Sequence, residues 1–123
     1  MQCPKCDSAM MPVAYQSSTV HRCTKCSGLW FEPLDHERLK EVAEQVDTGD
    51  ATVGARYNRI DRINCPKCAN WPLIRMVDAQ QPHIWFESCK NCYGRFYDAG
   101  EYQDFAEIEF ADLIKDWNAP ERI

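Results

Sequence analysis

Eight cysteines occur in this 123-residue chain, and they lie in four CxxC pairs. The pairs are Cys3/Cys6, Cys23/Cys26, Cys65/Cys68 and Cys89/Cys92. Between the first two pairs lie 16 residues and between the last two lie 20, a spacing at which two turns offer four thiolates to one tetrahedral ion. A single CxxC could be redox-active or part of a disulfide, but two matched sets favour two structural Zn²⁺ ions. Iron needs the same four thiolates, so zinc is preferred only because it is the commoner ion.

Each metal turn must bend sharply so that its amides can point at sulfur, which often requires a positive φ just past the second cysteine. Gly28 and Gly94 both lie two residues after such a cysteine. We therefore expect these two glycines to supply the bend.

The chain also repeats itself, because each cysteine of the second half lies 62 or 66 residues after its counterpart. Between the cysteine pairs, apolar residues flank a polar turn in both copies, which predicts a β-hairpin linking two metal turns. Apolar side chains then recur at helical spacing after each hairpin. These stripes are Leu39, Val42, Ala43 and Val46 in the first copy, and Phe110, Ile114 and Trp117 in the second.

The predicted fold is thus a small metal-stabilised α+β protein with two tandem four-cysteine zinc ribbons, each followed by an amphipathic helix. We expect residues 1–46 to form the first ribbon with its helix and 60–123 the second ribbon with the C-terminal helix. Residues 47–59 contain two glycines and no sustained period, so they are predicted to be a linker. Ile60 and Ile63 are predicted to begin an additional strand.

Charge does not decide between two kinds of macromolecular partner. The net charge of −5 discourages nucleic-acid binding by the whole chain, yet the ribbons carry an excess of lysine and arginine. Candidate nucleic-acid contacts are Lys5, Arg22, Lys25, Lys67, Arg75, Lys90 and Arg95, with Trp85 as a stacking platform. The helices are acidic, and Glu41, Glu44, Asp112 and Asp116 are candidate docking residues for a protein partner.

A family resemblance enters through the string CYGRFYDAGE after Cys92, in which aromatic and acidic residues follow the cysteine and its glycine. This string resembles the bacterial transcription factor IIB-type zinc-finger domain family. The first copy shares the cysteines, Gly28 and Trp30 but has Glu32, Leu34 and Asp35 where the family has Asp, Gly and Glu. The resemblance implies tandem zinc ribbons with the eight cysteines as ligands and an association with transcription; it brings no catalytic residue.

Four thiolates fill the coordination sphere of zinc, so no catalytic residue and no small-molecule substrate are expected. We favour a non-catalytic protein-interaction module, with nucleic-acid binding by the ribbon surfaces as the alternative. A thiol redox sensor is a weaker alternative. The N-terminus has no leader pattern and the sequence lacks a long apolar run, which predicts a cytoplasmic protein that does not enter a membrane.

Overall fold

The computed structural model describes residues 1–15, 17–60, 62–79, 81 and 83–106. Within them the strands are β1 (Met10–Tyr15), β2 (Ser18–Cys23), β3 (Leu29–Phe31), β4 (Leu73–Val77), β5 (Trp85–Cys89) and β6 (Arg95–Tyr97). The helices are α1 (Asp35–Arg38), α2 (Ala43–Val46), α3 (Ala51–Tyr57) and α4 (101–106), with a 3-10 turn at Lys40–Val42 between α1 and α2.

Both predicted hairpins are present, and each connects two cysteine turns. In the first, Met10 of β1 lies opposite Cys23 of β2, so the pair begins just after one cysteine turn and ends at the next. In the second, Leu73 of β4 lies opposite Cys89 of β5. The third strand of each ribbon, β3 or β6, follows the second cysteine turn and pairs antiparallel with β2 or β5. The predicted fold class is confirmed.

The two ribbons form one continuous sheet, with strand order β1-β2-β3-β6-β5-β4. β3 and β6 pair antiparallel, so that Trp30 lies opposite Phe96. These two residues occupy corresponding positions of the two sequence copies. The ribbons are therefore related by an approximate two-fold axis that passes through this residue pair.

The sheet has an apolar core on each face. Strand side chains alternate between faces, so Phe31 and Tyr97 point to one side while Trp30 and Phe96 point to the other. The first face is covered by α1, α2 and α4 through Leu39, Ala43, Val46, Tyr102 and Phe105. The second face packs against the cysteine turns, with Val53 and Tyr57 of α3 at its margin. Hence α1, α2 and α4 lie on one side of the sheet, and α3 packs on the other.

The helix after the first ribbon begins later than the sequence suggests. Glu32 and Pro33 predict its first turn, but α1 starts at Asp35, and Leu34 precedes it with φ of 71°. Leu34 corresponds to Gly100, whose φ is 86°, so both copies need a left-handed residue here. The apolar stripe behaves as expected, since Leu39, Ala43 and Val46 are buried. The stripe predicted at Phe110, Ile114 and Trp117 lies outside the described residues.

The segment predicted as a linker contains helix α3. The Asp50 side chain caps α3 by accepting a hydrogen bond from the Thr52 amide at 2.8 Å. Asp47 accepts from the amides of Gly100 (3.0 Å) and Gln103 (2.9 Å), which fixes the segment to the second half of the chain. The division at 46/47 and 59/60 stays a prediction about folding units.

The strand predicted at Ile60 and Ile63 is wrong. Among the described residues near them, only Asn64 makes a bridge, to Pro72, and Ile63 serves instead as a buried residue of the second core. Across the parts of the chain that the structure describes, no helix has the length and apolar character needed to cross a membrane.

Candidate metal centres and the surfaces around them

The two cysteine sets converge as the spacing predicts. In each set, the four Sγ atoms all lie within 4.8 Å of one another. Cys3 and Cys26 are 3.7 Å apart and Cys6 and Cys23 are 3.3 Å apart, measured between Sγ atoms. In the second set, Sγ of Cys65 lies 3.7 Å from Cys92, and Sγ of Cys68 lies 3.9 Å from Cys89.

These separations fit zinc. A tetrahedral ion with Zn–S bonds near 2.3 Å places its sulfurs about 3.8 Å apart. The Cys26 thiol, by donating to Cys3, lowers the pKa of Cys3 to about 5, while that same pairing and burial raise the pKa of Cys26. All four sulfurs of a set can be thiolates together only when a cation offsets their charge. Each set is thus suited to hold one structural Zn²⁺.

Backbone amides support the thiolates. The amides of Lys25 and Cys26 both point at Cys23 Sγ at 3.4 Å. The amides of Asn91 and Cys92 repeat this arrangement at Cys89 Sγ, also at 3.4 Å. The second ribbon adds a side-chain donor, because Asn91 Nδ2 lies 3.3 Å from Cys68 Sγ. Such donors stabilise sulfur charge and orient the ligands.

The glycines after the cysteines have a different role from the predicted one. Positive φ occurs one residue earlier, at Asp7, Ser27, Ala69 and Tyr93, with values of 59–62°. A Cβ on Gly28 would overlap the ring of Phe96, and a Cβ on Gly94 would overlap the ring of Trp30. Each glycine is needed because the aromatic residue of the other ribbon occupies the space of its side chain.

Lys5, a predicted nucleic-acid contact, is turned inward. Its side chain is 0% exposed, and its Nζ lies 2.8 Å from Glu87 Oε1 and 2.7 Å from Asp98 Oδ2. It also donates to the Tyr57 carbonyl at 3.1 Å. Burial raises the pKa of Glu87 and Asp98, and the Lys5 ammonium opposes that rise. Lys5 thus joins the first ribbon, the second ribbon and α3.

Lys67 forms a similar ion pair, which is more exposed. It is the counterpart of Lys5 in the second CPKC, and its Nζ lies 3.0 Å from Glu32 Oε2. Glu32 is the counterpart of Asp98, so each of these lysines reaches the acidic residue after the other ribbon's third strand. The pair at Lys67 is half exposed and correspondingly weaker.

Other predicted cations also have partners within the chain. Arg22 donates to the Val46 carbonyl at 2.8 Å, and Arg75 donates to the carbonyls of Asn58 and Ile60. Lys90 Nζ lies 3.6 Å from Met76 Sδ. Arg95 stacks on the Phe86 ring at 4.3 Å. Each of these four cations thus has a contact within the chain itself.

Four of the predicted nucleic-acid contacts are exposed: Lys25, Lys67, Trp85 and Lys90. Lys25 is exposed at the second cysteine turn. Trp85 is 38% exposed, with the Arg75 guanidinium 5.6 Å from its ring centroid.

The acidic docking residues are placed differently from the cations. Glu41 and Glu44 are exposed, and both line a cavity of about 630 Å³. Among the described residues, its other walls are Lys40, Val42, Ala43, Gln45, Gln103 and Ala106. Asp112 and Asp116 lie outside the described residues.

Sequence reasoning missed three arginines in and after α3, at positions 56, 59 and 62. They fall in and directly after the segment predicted to be a linker, where no role was assigned to them. Their regular spacing of three residues was the available signal.

Comparison with known proteins finds a family similar to the first ribbon. Residues 2–42 match the family model described as a transcription factor zinc-finger. The chain is similar to Transcription factor S from Sulfolobus acidocaldarius, with 28% identity over 103 residues that cover 73% of this chain and 90% of that protein. It is also similar to Transcription factor S1 from Saccharolobus solfataricus, with 29% identity over 104 residues that cover 73% and 88%. No solved structure gives a significant match.

Proposed function

Because residues 2–42 match the family model of a transcription factor zinc-finger, we propose that the chain is a non-catalytic interaction module that holds a protein partner in transcription. The names of the two transcription factor S relatives support a role in transcription. Four thiolates leave no open position on either zinc for a substrate or a reactive water. The ribbons accordingly serve as a rigid frame.

One observation carries the choice of a protein partner over nucleic acid at the ribbon surfaces. Of the seven ribbon cations predicted to bind phosphate, six contact groups of the chain itself, and Lys5 is fully buried. Within the described residues, Glu41 and Glu44 form no ion pair, and both are exposed around one groove. A groove with exposed carboxylates suits a segment of a partner protein that carries lysine or arginine.

The frame also suits binding without rearrangement. The α1–α2 segment is fixed to the sheet by the buried Leu39, Ala43 and Val46. The Tyr15 hydroxyl, from β1, donates to the Gln45 carbonyl at 2.5 Å, and Arg22 holds the carbonyl of Val46. A surface held in this way loses little conformational freedom when a partner binds.

The test is an affinity capture followed by a binding titration. The zinc-loaded chain is used to capture proteins from an extract of its source, and a partner identified by mass spectrometry is then purified and titrated. Glu41→Lys with Glu44→Lys should weaken binding of that partner, and more so at low salt because the contact is electrostatic.

The control moves charge elsewhere on the surface. Thr19→Lys with Ala79→Lys adds two cations at exposed positions outside the groove and should leave the affinity unchanged. Unchanged binding after reversal at Glu41 and Glu44 would mean that those carboxylates are only solvated. Reversal at Asp112 and Asp116 tests the remaining part of the prediction in the same assay.

A further inference from the structure

Helix α3 and the turn that follows it carry a row of exposed cations. Arg56, Arg59 and Arg62 occur at intervals of three residues, and all three are exposed. The turn continues from the helix, since the Arg59 amide donates to the Arg56 carbonyl and the Ile60 amide to the Tyr57 carbonyl. Residues three apart on such a backbone lie about 5–6 Å from each other at Cβ, so Arg56 and Arg59 are neighbours.

Most of the ribbon cations have a partner within the chain, whereas among the described residues these arginines have none. Within the ranges that the structure describes, none of Arg56, Arg59, Arg62 and Lys25 forms an ion pair or a side-chain hydrogen bond. The ion pairs of those ranges belong instead to Lys5, Arg38, Lys40, Lys67, Arg75 and His36. Exposed guanidinium groups that form no ion pair within the described residues are available to an external anion.

A groove connects the row to the first metal centre. Lys25, Val53, Arg56, Tyr57 and Ile60 line a cavity of about 420 Å³. Lys25 and Arg56 provide its charge, while Tyr57 and Ile60 provide apolar surface, and Ile60 is 36% exposed. The combination of cations with an aromatic ring is the one that proteins use to follow a nucleic-acid strand.

This groove lies on the opposite side of the sheet from the acidic one. Val53 and Tyr57 pack against the core that contains Trp30 and Phe96. The α1–α2 segment, with Glu41 and Glu44, packs against the core that contains Phe31 and Tyr97. The charges are thus divided between two faces, so the net charge of −5 does not describe the surface around α3.

We propose that Lys25, Arg56, Arg59 and Arg62 form a binding site for the phosphate backbone of single-stranded nucleic acid, with Tyr57 and Ile60 contacting its sugars or bases. The neighbouring Arg56 and Arg59 can contact successive phosphates of such a strand, and their planar forks match phosphate oxygens. The apolar surface of Tyr57 and Ile60 favours a nucleic-acid strand over an acidic polypeptide, because bases can stack on that surface and carboxylates cannot. This site is additional to the proposed protein-docking groove and does not depend on it.

The test is fluorescence anisotropy of the zinc-loaded chain with labelled oligothymidylate and oligouridylate at several salt concentrations. The wild-type chain should bind with affinity that falls as salt rises. Arg56→Ala with Arg59→Ala should make the slope of log affinity against log salt shallower by about 1.4, since each lost phosphate contact on a single strand removes about 0.7. Both substitutions are at exposed positions, and a zinc content equal to the wild type checks that the fold is kept.

The matched control is Thr19→Glu with Ala79→Glu, which lowers the net charge by the same two units at exposed positions outside the site and should leave the slope unchanged. Failure of the wild-type chain to bind either oligonucleotide at low salt would overturn the proposal. Equal slopes for the two double variants would also overturn it. Tighter binding of polyglutamate than of either oligonucleotide would assign the site to an acidic polypeptide instead. None of these results bears on the Glu41 and Glu44 groove.

Discussion

Trp30 of β3 and Phe96 of β6 lie opposite each other on neighbouring strands. The Phe96 ring lies against Gly28, which precedes β3, and the Trp30 ring lies against Gly94, which precedes β6. The arrangement is reciprocal because the two residues are counterparts in the sequence copies. Both are 0% exposed. The two metal-bound halves consequently share one core. A change at the contact between Trp30 and Phe96 should therefore destabilise both halves.

Gly94→Ala tests this contact. The added methyl group must displace the Trp30 ring from a packed core, which should lower the free energy of unfolding by about 1–3 kcal/mol. Urea unfolding of the zinc-loaded chain measures the effect. Ser8→Ala, two residues after the first cysteine turn of the first copy, serves as the control and should have little effect. Wild-type stability of Gly94→Ala would show that the two rings do not pack as described.

Lys5 and Lys67 form a natural comparison, since both are the lysine of a CPKC turn. Lys5→Met leaves Glu87 and Asp98 buried without their cation, and we expect a loss of about 3–5 kcal/mol in the free energy of unfolding. Lys67→Met breaks a half-exposed pair with Glu32 and should cost far less than the loss of Lys5. Urea unfolding of both variants measures the two losses in the free energy of unfolding. Similar losses for the two would contradict the burial of Lys5.

His36 predicts a pH dependence of stability. Burial, and then the nearby charge of Arg95, lower its pKa from 6.5 to about 4, while Glu37 and Asp78 oppose the shift and Lys40 adds to it. Because the folded-state value is the lower one, the unfolded chain takes up the proton first as the pH falls below 6.5. The stability contributed by neutral His36 is present above that pH and decreases toward pH 4. Between pH 7 and pH 5 the loss should be about 1–2 kcal/mol.

The measurement is urea unfolding at both pH values for the wild type, His36→Gln and His83→Gln. Loss of zinc at low pH affects all three chains alike. His36→Gln should therefore show the smaller pH effect, whereas His83→Gln, at an exposed residue, should follow the wild type. A His36→Gln chain with the wild-type pH dependence would contradict the assigned cause.

The β3–β6 pairing predicts that damage at one metal centre reaches the other ribbon. Cys6→Ser removes a ligand of the first centre only. Since β3 is the neighbour of β6, the amides of β5 and β6 should exchange faster with deuterium in this variant, even though their own cysteines are intact. Unchanged protection of β5 and β6 would show that the ribbons are independent units.

The sequence predicts the hairpins and metal centres because both depend on local spacing. CxxC pairs fix the turns, and the alternation around Val13 and Val20 fixes the first hairpin. The contact between Trp30 and Phe96 depends instead on two segments far apart in the chain, and no local pattern encodes which strand edges meet. For the same reason the sequence does not reveal why Gly28 and Gly94 are glycines. Only the structure shows which side chain lies in the space next to each of them.

The same limit explains the charged residues. Lys5 and Lys67 look alike in sequence, and only the packing of α3 and Asp98 over one of them makes it buried. The arginines at 56, 59 and 62 were overlooked because a segment with two glycines and no apolar period was interpreted as a connection. Its cap at Asp50 and its contacts through Asp47 show that it is an ordered element.

The central claim is that two four-cysteine centres, one in each ribbon, hold the shared sheet together. Its most direct test is the zinc-to-protein ratio of the purified, reduced chain, measured by elemental analysis together with Cys6→Ser and Cys92→Ser. The account predicts two zinc ions per wild-type chain and fewer in each variant. A wild-type chain that holds fewer than two tightly bound ions, or variants that keep the wild-type ratio, would contradict it.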